Sequence, residues 1–168
     1  MRAVVASHRR AVLEFAILGS LEARSDGRSL PLGALRERSV LAVLVLNAGE
    51  LVSTDRLIDE LWEEHVPKAA AKTVQVYVSR LRKLLGAGTI VTRPPGYLLR
   101  VDREQIDANR FERLAVAGRS ALAAGDLPAA RSRLSEALSL WRESPLADFA
   151  YEPFAQAEAT RRSTRCGC

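Results

Sequence analysis

Between Pro67 and Gly86 the chain has one apolar stripe and no acidic residue. Four aliphatic residues fall at i, i+4, i+7 and i+11 and share one face of an α-helix: Val74, Val78, Leu81 and Leu85. Proline suits the start of a helix and glycine suits its end, so the flanking residues mark its limits. We therefore predict a helix over 68–85 with one face in the core and the other in solvent.

Charge around this helix is divided into two blocks of opposite sign. Residues 66–101 contain seven basic residues and no acidic one, whereas residues 49–65 contain six acidic residues and one basic residue, Arg56. A net charge of +5 permits nucleic-acid binding without requiring it. One charged stretch is often only a solvated helix face, but adjacent blocks of opposite sign predict one positive and one negative face.

The chain before this helix predicts a small antiparallel sheet and two further helices. A half-buried strand is expected at 13–17, and Asp26-Gly27 is a hairpin turn between strand candidates at 21–24 and 28–32. Periodicity does not separate strand from helix at 35–47, but its length and charged first turn favour a buried helix. Ser53 or Thr54 can cap a second helix with this apolar stripe: Leu57, Ile58, Leu61 and Trp62.

After the basic helix come two β-prone segments and then a change of composition. Segments 89–92 and 97–101 flank the turn 93–96, which contains two prolines and a glycine. From Asp107 onward the pattern is alanine-rich and helical, with helices predicted at 109–124 and 128–141. Small and apolar residues there are spaced like one tetratricopeptide-type (TPR-like) hairpin: Leu114, Gly118, Ala121, Gly125, Ala130, Leu134 and Ala137.

These patterns predict an α+β chain in three parts. They are a loose leader at 1–12, an α+β domain at 13–102, and the start of an all-α TPR-like segment at 107–168. One such hairpin does not bury its own apolar face, since about three repeats are usually needed. We expect it either to fold back on the first domain or to pair with a second chain.

The order of sheet, two helices, basic helix and hairpin resembles the OmpR-type winged helix. The segments 73–85 and 92–97 are most similar to the version found in SARP-type antibiotic-pathway activators of actinobacteria. The likeness covers about 13–154 and implies a winged helix-turn-helix domain followed by a bacterial transcriptional activation domain. Residues 161–168 lack the apolar periodicity expected there, so we expect an incomplete activation domain.

The resemblance implies which side chains face DNA. Helix 68–85 would lie in the major groove and wing 89–101 at the minor groove, with these contacts: Lys72, Thr73, Gln75, Tyr77, Ser79, Arg80, Arg82, Lys83 and, in the wing, Arg93. Arg80 and Arg82 are the strongest candidates, because arginine can bridge guanine or a phosphate with two hydrogen bonds. Tyr77 is open to two interpretations, since its ring can instead pack on the core with its hydroxyl on a phosphate.

The resemblance also implies protein partners. The loop residues Glu63, Glu64 and His65 would face RNA polymerase, although an exposed acidic loop is ordinary. Two copies would bind direct repeats in double-stranded promoter DNA.

Other function classes have weaker support. A protein-interaction adaptor, with the basic helix docked on an acidic partner, is the main alternative, and its binding would depend less on salt. No phosphate-binding glycine loop, metal-ligand cluster or Ser/His/Asp set indicates an enzyme, a metal or a cofactor. No apolar run spans a bilayer, and Cys166 and Cys168 are too close for an easy disulfide, so a cytoplasmic location is expected.

Overall fold

A computed structural model describes residues 12–62, 65–157 and 160. Several sequence predictions fall outside this range: the leader apart from Val12, the loop acids Glu63 and Glu64, and the segment 161–168. In the described part, small sheets and three helices come first, and helices follow from residue 103 onward.

The N-terminal sheet is antiparallel in the order β1-β2-β3. Its strands are β1 (Leu13–Ala16), β2 (Glu22–Ser25) and β3 (Arg28–Ser29). Asp26 and Gly27 both have positive φ, 49° and 78°, as a two-residue hairpin turn requires. The predicted strand 28–32 is wrong in length: β3 ends at Ser29. The amide of Leu30 still donates to the carbonyl of Ala23 at 2.8 Å, and Pro31 follows with its restricted φ, so the regular strand stops there.

Three helices pack against one another. They are α1 (Leu35–Leu46), α2 (Thr54–Trp62) and α3 (Ala70–Leu85). Residues 40–45 of α1 are all buried, so the segment is the buried helix that its length indicated. The predicted start of α3 at 68 is wrong by two residues. The amide of Ala70 donates to the carbonyl of Pro67, which closes a turn that contains Lys68.

A second antiparallel sheet forms the wing, in the order β4-β6-β5. Its strands are β4 (Leu51–Ser53), β5 (Ile90–Arg93) and β6 (Gly96–Leu99). No strand is predicted at 51–53 from the sequence, where Ser53 is only a candidate cap of the following helix. Three residues give too short a pattern to predict a strand, and β4 exists because it pairs with β6 from the distant hairpin.

The C-terminal half is a helical hairpin of α4 (Asp107–Ala123) and α5 (Leu127–Ser139). The Asp126 carboxylate caps α5 by accepting from the amide of Ala129 at 3.0 Å. A Cβ atom at Gly118 would come within 2.6 Å of the Leu134 side chain, so glycine sets the close approach of the two helices. Helices predicted at 109–124 and 128–141 are confirmed as elements, with shifted ends.

Both halves share one hydrophobic core. The buried cluster includes Phe15 from β1, Val78 from α3, Leu114 from α4 and Phe149 from a 3₁₀ turn at Ala147–Phe149. Of the two expected arrangements, the described residues show the hairpin packed against the winged helix. No helix in the described ranges is long and apolar enough to cross a membrane.

Backbone amides of the β1–β2 loop (residues 17–21) are bound by carboxylates from the C-terminal half. Asp107 accepts from the amides of Ile17 at 2.8 Å and Leu18 at 3.1 Å. Further along, Glu143 accepts from the amide and hydroxyl of Ser20. A charge-assisted hydrogen bond is stronger than a neutral one, so these contacts hold the two halves together.

The last amide of this loop is held by a partly buried ion pair. Asp148 accepts from the amide of Leu21 at 3.0 Å, and the Arg38 guanidinium contacts its other oxygen. The same guanidinium lies 5.5 Å from the centre of the Phe149 ring. Arg38 on α1 thus joins the first domain to the chain beyond α5.

Burial raises the pKa of the Asp107 carboxyl above its ordinary value of 3.8. The amides of Ile17 and Leu18 and the charge of Arg142 lower it, but desolvation is the largest effect. The ionised side chain therefore binds its amides at a desolvation cost.

We predict that Asp107→Ala lowers the free energy of unfolding by about 2–4 kcal/mol, because two buried amides lose their acceptor. Asp107→Asn keeps the shape and one acceptor oxygen, so its loss should be smaller. Urea unfolding at neutral pH measures both. Equal stability of the alanine variant and the wild type would contradict the role of this carboxylate.

The raised pKa of Asp107 predicts that stability depends on pH, which the same variants can test. Because the folded-state pKa is raised, the folded protein binds this proton more tightly than the unfolded chain at pH values just above 3.8. The stability of the wild type relative to Asp107→Asn should therefore fall as the pH rises through this window and level off above it. A relative stability that rises with pH there would show that the pKa is lowered instead.

Candidate nucleic-acid interface

The exposed side of α3 lies opposite its buried stripe. The predicted stripe Val74, Val78, Leu81 and Leu85 is confirmed as buried, together with Ala70. We define the outer face of α3 as its six exposed residues with side chains longer than alanine, and they repeat at helical spacing: Lys72, Gln75, Val76, Ser79, Arg80 and Lys83. Its charged groups are all basic, so it presents a narrow positive ridge.

Arg80 has one acidic neighbour from α1. Its Nη1 lies 3.6 Å from Oε2 of Glu37, whose side chain is 8% exposed, whereas that of Arg80 is 59% exposed. The buried carboxylate limits where the guanidinium can lie, and most of the guanidinium stays open to solvent. Glu37 was noticed in the sequence only as part of a charged first turn, because nothing in the local pattern pairs it with α3.

Two predicted contacts on α3 lie at the edge of the outer face. Tyr77 is half-buried and packs against the core, as one of its two interpretations requires. Thr73 is also half-buried, and its hydroxyl donates to the carbonyl of Ala69 at 3.1 Å. Both residues border the outer face, with less of their side chains free than Lys72 or Gln75.

Arg82 points from α3 toward the wing. Its Nε donates to the carbonyl of Ile90 at 2.8 Å, and its Nη2 donates to Oγ1 of Thr92 at 2.7 Å. The guanidinium carbon is 6.0 Å from the centre of the Tyr97 ring. Sequence spacing placed Arg82 with the other basic residues of α3, and only the packed structure shows these contacts.

The wing tip presents Arg93 next to a fixed turn. Arg93 is exposed and pairs with Gly96 across a turn of two prolines, whose peptide bond is cis. The carbonyl of Pro95 accepts from both the amide and the hydroxyl of Thr54, at 3.0 and 3.1 Å. The first residue of α2 therefore anchors the tip, while Ser53 caps the helix by accepting from the amide of Arg56.

A loop leaves the C-terminal end of α2. His65 is exposed, and its amide donates to the carbonyl of Trp62. Arg36 from α1 donates to the carbonyl of Leu61 at 2.9 Å and lies 5.3 Å from the Trp62 ring centre. Arg36 thus fixes the point where the loop begins, a contact that the sequence analysis missed.

This surface has the charge that contact with nucleic acid requires. A helix with one positive face fits the major groove of DNA, and its basic side chains can neutralise phosphates. Among residues 12–62, 65–157 and 160, no three His, Cys, Asp or Glu side chains are grouped to hold a metal ion.

Two known families match the chain one after the other. Residues 27–99 match "Transcriptional regulatory protein, C terminal", and residues 106–166 match "Bacterial transcriptional activator domain". The chain is 40% identical over 150 residues to regulatory protein AfsR of Streptomyces coelicolor, and 37% identical over 147 residues to regulatory protein DnrI of Streptomyces peucetius. The chain thus has the winged helix and the activator domain of SARP-type regulators. The resemblance predicted from the basic helix and wing is confirmed.

A solved SARP-type structure has the same fold. Transcriptional regulatory protein EmbR of Mycobacterium tuberculosis is 43% identical over 155 residues. A structure of EmbR in complex with a low-affinity phosphopeptide matches 92% of this chain with a TM-score of 0.88 and 38% identity. The predicted α+β class, a winged helix followed by helices, is confirmed.

The chain spans only part of each relative. The alignment with AfsR includes 89% of this chain but only 15% of AfsR. The alignment with DnrI includes 81% of this chain and 54% of DnrI, and that with EmbR includes 86% of this chain and 40% of EmbR. Residues 100–105 separate the two matched regions and overlap the predicted division at 102–107, and the exact limits of the domains stay a prediction.

We predict that Gly96→Ala disrupts the wing sheet. A Cβ atom there would lie 1.9 Å from the carbonyl oxygen of Val52, which is backbone and has no room to move. The free energy of unfolding should fall by more than about 2 kcal/mol. Gly88→Ala is the matched control, since nothing lies within 4 Å of its Cβ position, and it should change stability by less than about 0.5 kcal/mol. Equal effects of the two substitutions would contradict this packing.

Proposed function

We propose that this chain binds double-stranded promoter DNA and activates transcription, with α3 in the major groove and the wing at the minor groove. One observation supports this most directly. The outer face of α3 carries three basic side chains and no acidic one, and it stands next to a wing tip that presents an exposed arginine.

Each group on this surface suits a different contact. Lys72 and Lys83 are suited to phosphates, since a lysine acts as a flexible point charge. Gln75 can pair with adenine through two hydrogen bonds, and Arg80 can pair with guanine in the same way. Ser79 and Thr73 add smaller hydrogen-bonding groups, and the Tyr77 hydroxyl can reach a phosphate from a ring packed on the core.

Glu37 gives Arg80 a defined starting geometry. A guanidinium that already has one buried carboxylate neighbour loses less conformational freedom when it binds a base. The remaining exposure of Arg80 leaves its outer N–H groups for DNA. Arg93 suits a narrow minor groove, where the negative potential is strongest.

The remaining partners are also proposals. The loop with Glu63, Glu64 and His65 would contact a basic surface of RNA polymerase, and two copies would bind direct repeats. Such a regulator acts in the cytoplasm and needs no enzymatic activity.

We predict a salt-sensitive interaction that depends on α3 and the wing. The test uses a fluorescein-labelled duplex selected by the wild-type protein from a random-sequence library. If four or five basic side chains meet phosphates, log K falls with log salt at a slope of roughly −4. Lys83→Ala and Arg93→Ala should each reduce the slope's magnitude by about 0.9.

Arg131→Ala is the matched control, because it removes the same charge from the exposed surface of α5. Its affinity and slope should equal those of the wild type. Weak binding to every duplex, with Arg131→Ala as harmful as Lys83→Ala, would leave only a basic protein and favour the adaptor function.

We predict that substitutions in the loop after α2 impair activation of transcription without impairing DNA binding. The double substitution Glu63→Lys, Glu64→Lys should leave affinity for the selected duplex at or above the wild-type value, because it adds positive charge. In a transcription assay with purified polymerase, the same variant should lose most activation. Full activation by this variant would contradict a polymerase contact through these acids.

A further inference from the structure

Arg82 differs from the other basic residues of α3 in what it contacts. Its neighbour Lys83 is exposed, whereas Arg82 is only partly exposed. Two of its N–H groups are used within the protein, on Ile90 and Thr92. Both hydrogen bonds would break if this guanidinium turned toward DNA.

Its hydrogen bonds fall on the free edge of the wing sheet. In the order β4-β6-β5, strand β5 is an edge strand, so its outward carbonyls have no strand partner. The Thr89 carbonyl accepts from the amide of Arg100, on the side toward β6. Because backbone groups alternate along a strand, the Ile90 carbonyl points outward, where Arg82 supplies its donor.

Arg82 therefore connects α3 to the strand that carries Arg93. The bonded hydroxyl belongs to Thr92, the residue directly before Arg93, and the contacted Tyr97 ring belongs to β6 beyond the turn. One planar guanidinium thus touches both strands of the hairpin. The turn at the tip is held separately, by Thr54 on the Pro95 carbonyl.

We propose that Arg82 is a positioning residue that holds the wing against α3 at the angle from which Arg93 reaches DNA, and that it does not itself read the sequence. This inference rests on the proposed function. A lysine at this position would keep the charge but lack the planar fork that makes both hydrogen bonds.

The experiment is a double-mutant cycle on the selected duplex. Arg82→Ala and Arg82→Lys are each measured with Arg93 present and in the Arg93→Ala background. With Arg93 present, both should weaken binding about tenfold, because the wing arginine is misplaced. In the Arg93→Ala background, each Arg82 substitution should change affinity by less than about twofold, because no wing arginine remains to be misplaced.

Salt dependence separates positioning from a direct contact. In the Arg93→Ala background, Arg82→Ala should leave the slope of log K against log salt unchanged, whereas a lost phosphate contact would reduce its magnitude by about 0.9. Lys83→Ala is the control for a direct contact, with the same fold loss and slope change in both backgrounds. Unfolding midpoints for each variant ensure that folded populations are compared, and Arg82→Lys keeps the test valid if the alanine variant unfolds.

Three outcomes decide the matter. Coupling between Arg82 and Arg93, with Arg82→Lys as weak as Arg82→Ala, supports a positioning role. Additive losses, or wild-type affinity for Arg82→Lys, overturn it and make Arg82 a direct charge contact. If Lys83→Ala and Arg93→Ala also bind like the wild type, the proposed DNA-binding function itself fails.

Discussion

Carboxylates from the C-terminal half bind the amides of the β1–β2 loop, and the arrangement of the whole chain depends on this contact. Asp107 binds two consecutive amides about ninety residues away, and Glu143 and Asp148 bind the next ones. Buried N–H groups need acceptors, so this loop is not satisfied by the winged helix alone. The helical hairpin is therefore part of one continuous core instead of a loosely attached second domain.

Joining the halves in this way leaves the outer face of α3 and the wing tip uncovered. The hairpin is held through the β1–β2 loop and α1, by Arg38 among others, while the outer face of α3 and the tip of the wing remain exposed. Within that surface, some side chains point into solvent, and others contact neighbouring helices and strands and hold them in position. Glu37 and Arg36 belong to α1, where Glu37 lies beside Arg80 of α3 and Arg36 donates to the carbonyl of Leu61 in α2, so the most buried helix also orders parts of the surface.

Much of the candidate site followed from the sequence because its signals are local. A helix repeats every 3.6 residues, so the stripe from Val74 to Leu85 fixed which side of α3 is buried and which is exposed. The turn residues at 26–27 and 94–96 likewise specify hairpins through backbone geometry. Strand β4 and the partner of Arg80 had no local signal, because each depends on a residue far away in the chain. The contacts of Arg82 reach only eight and ten residues ahead, but they cross from α3 to the wing, and no periodic pattern links a helix to the next strand.

The sequence by itself determined the helices and the two hairpins, the basic face of α3 and the resemblance to SARP regulators, since periodicity, charge and turn residues are properties of neighbouring positions. Only the tertiary structure decided which basic residues are free. Lys83 and Arg82 are adjacent and alike in charge, yet one is exposed and the other is bonded to the wing. The physical reason is direction: successive helical residues point about 100° apart, and what lies in each direction is set by packing.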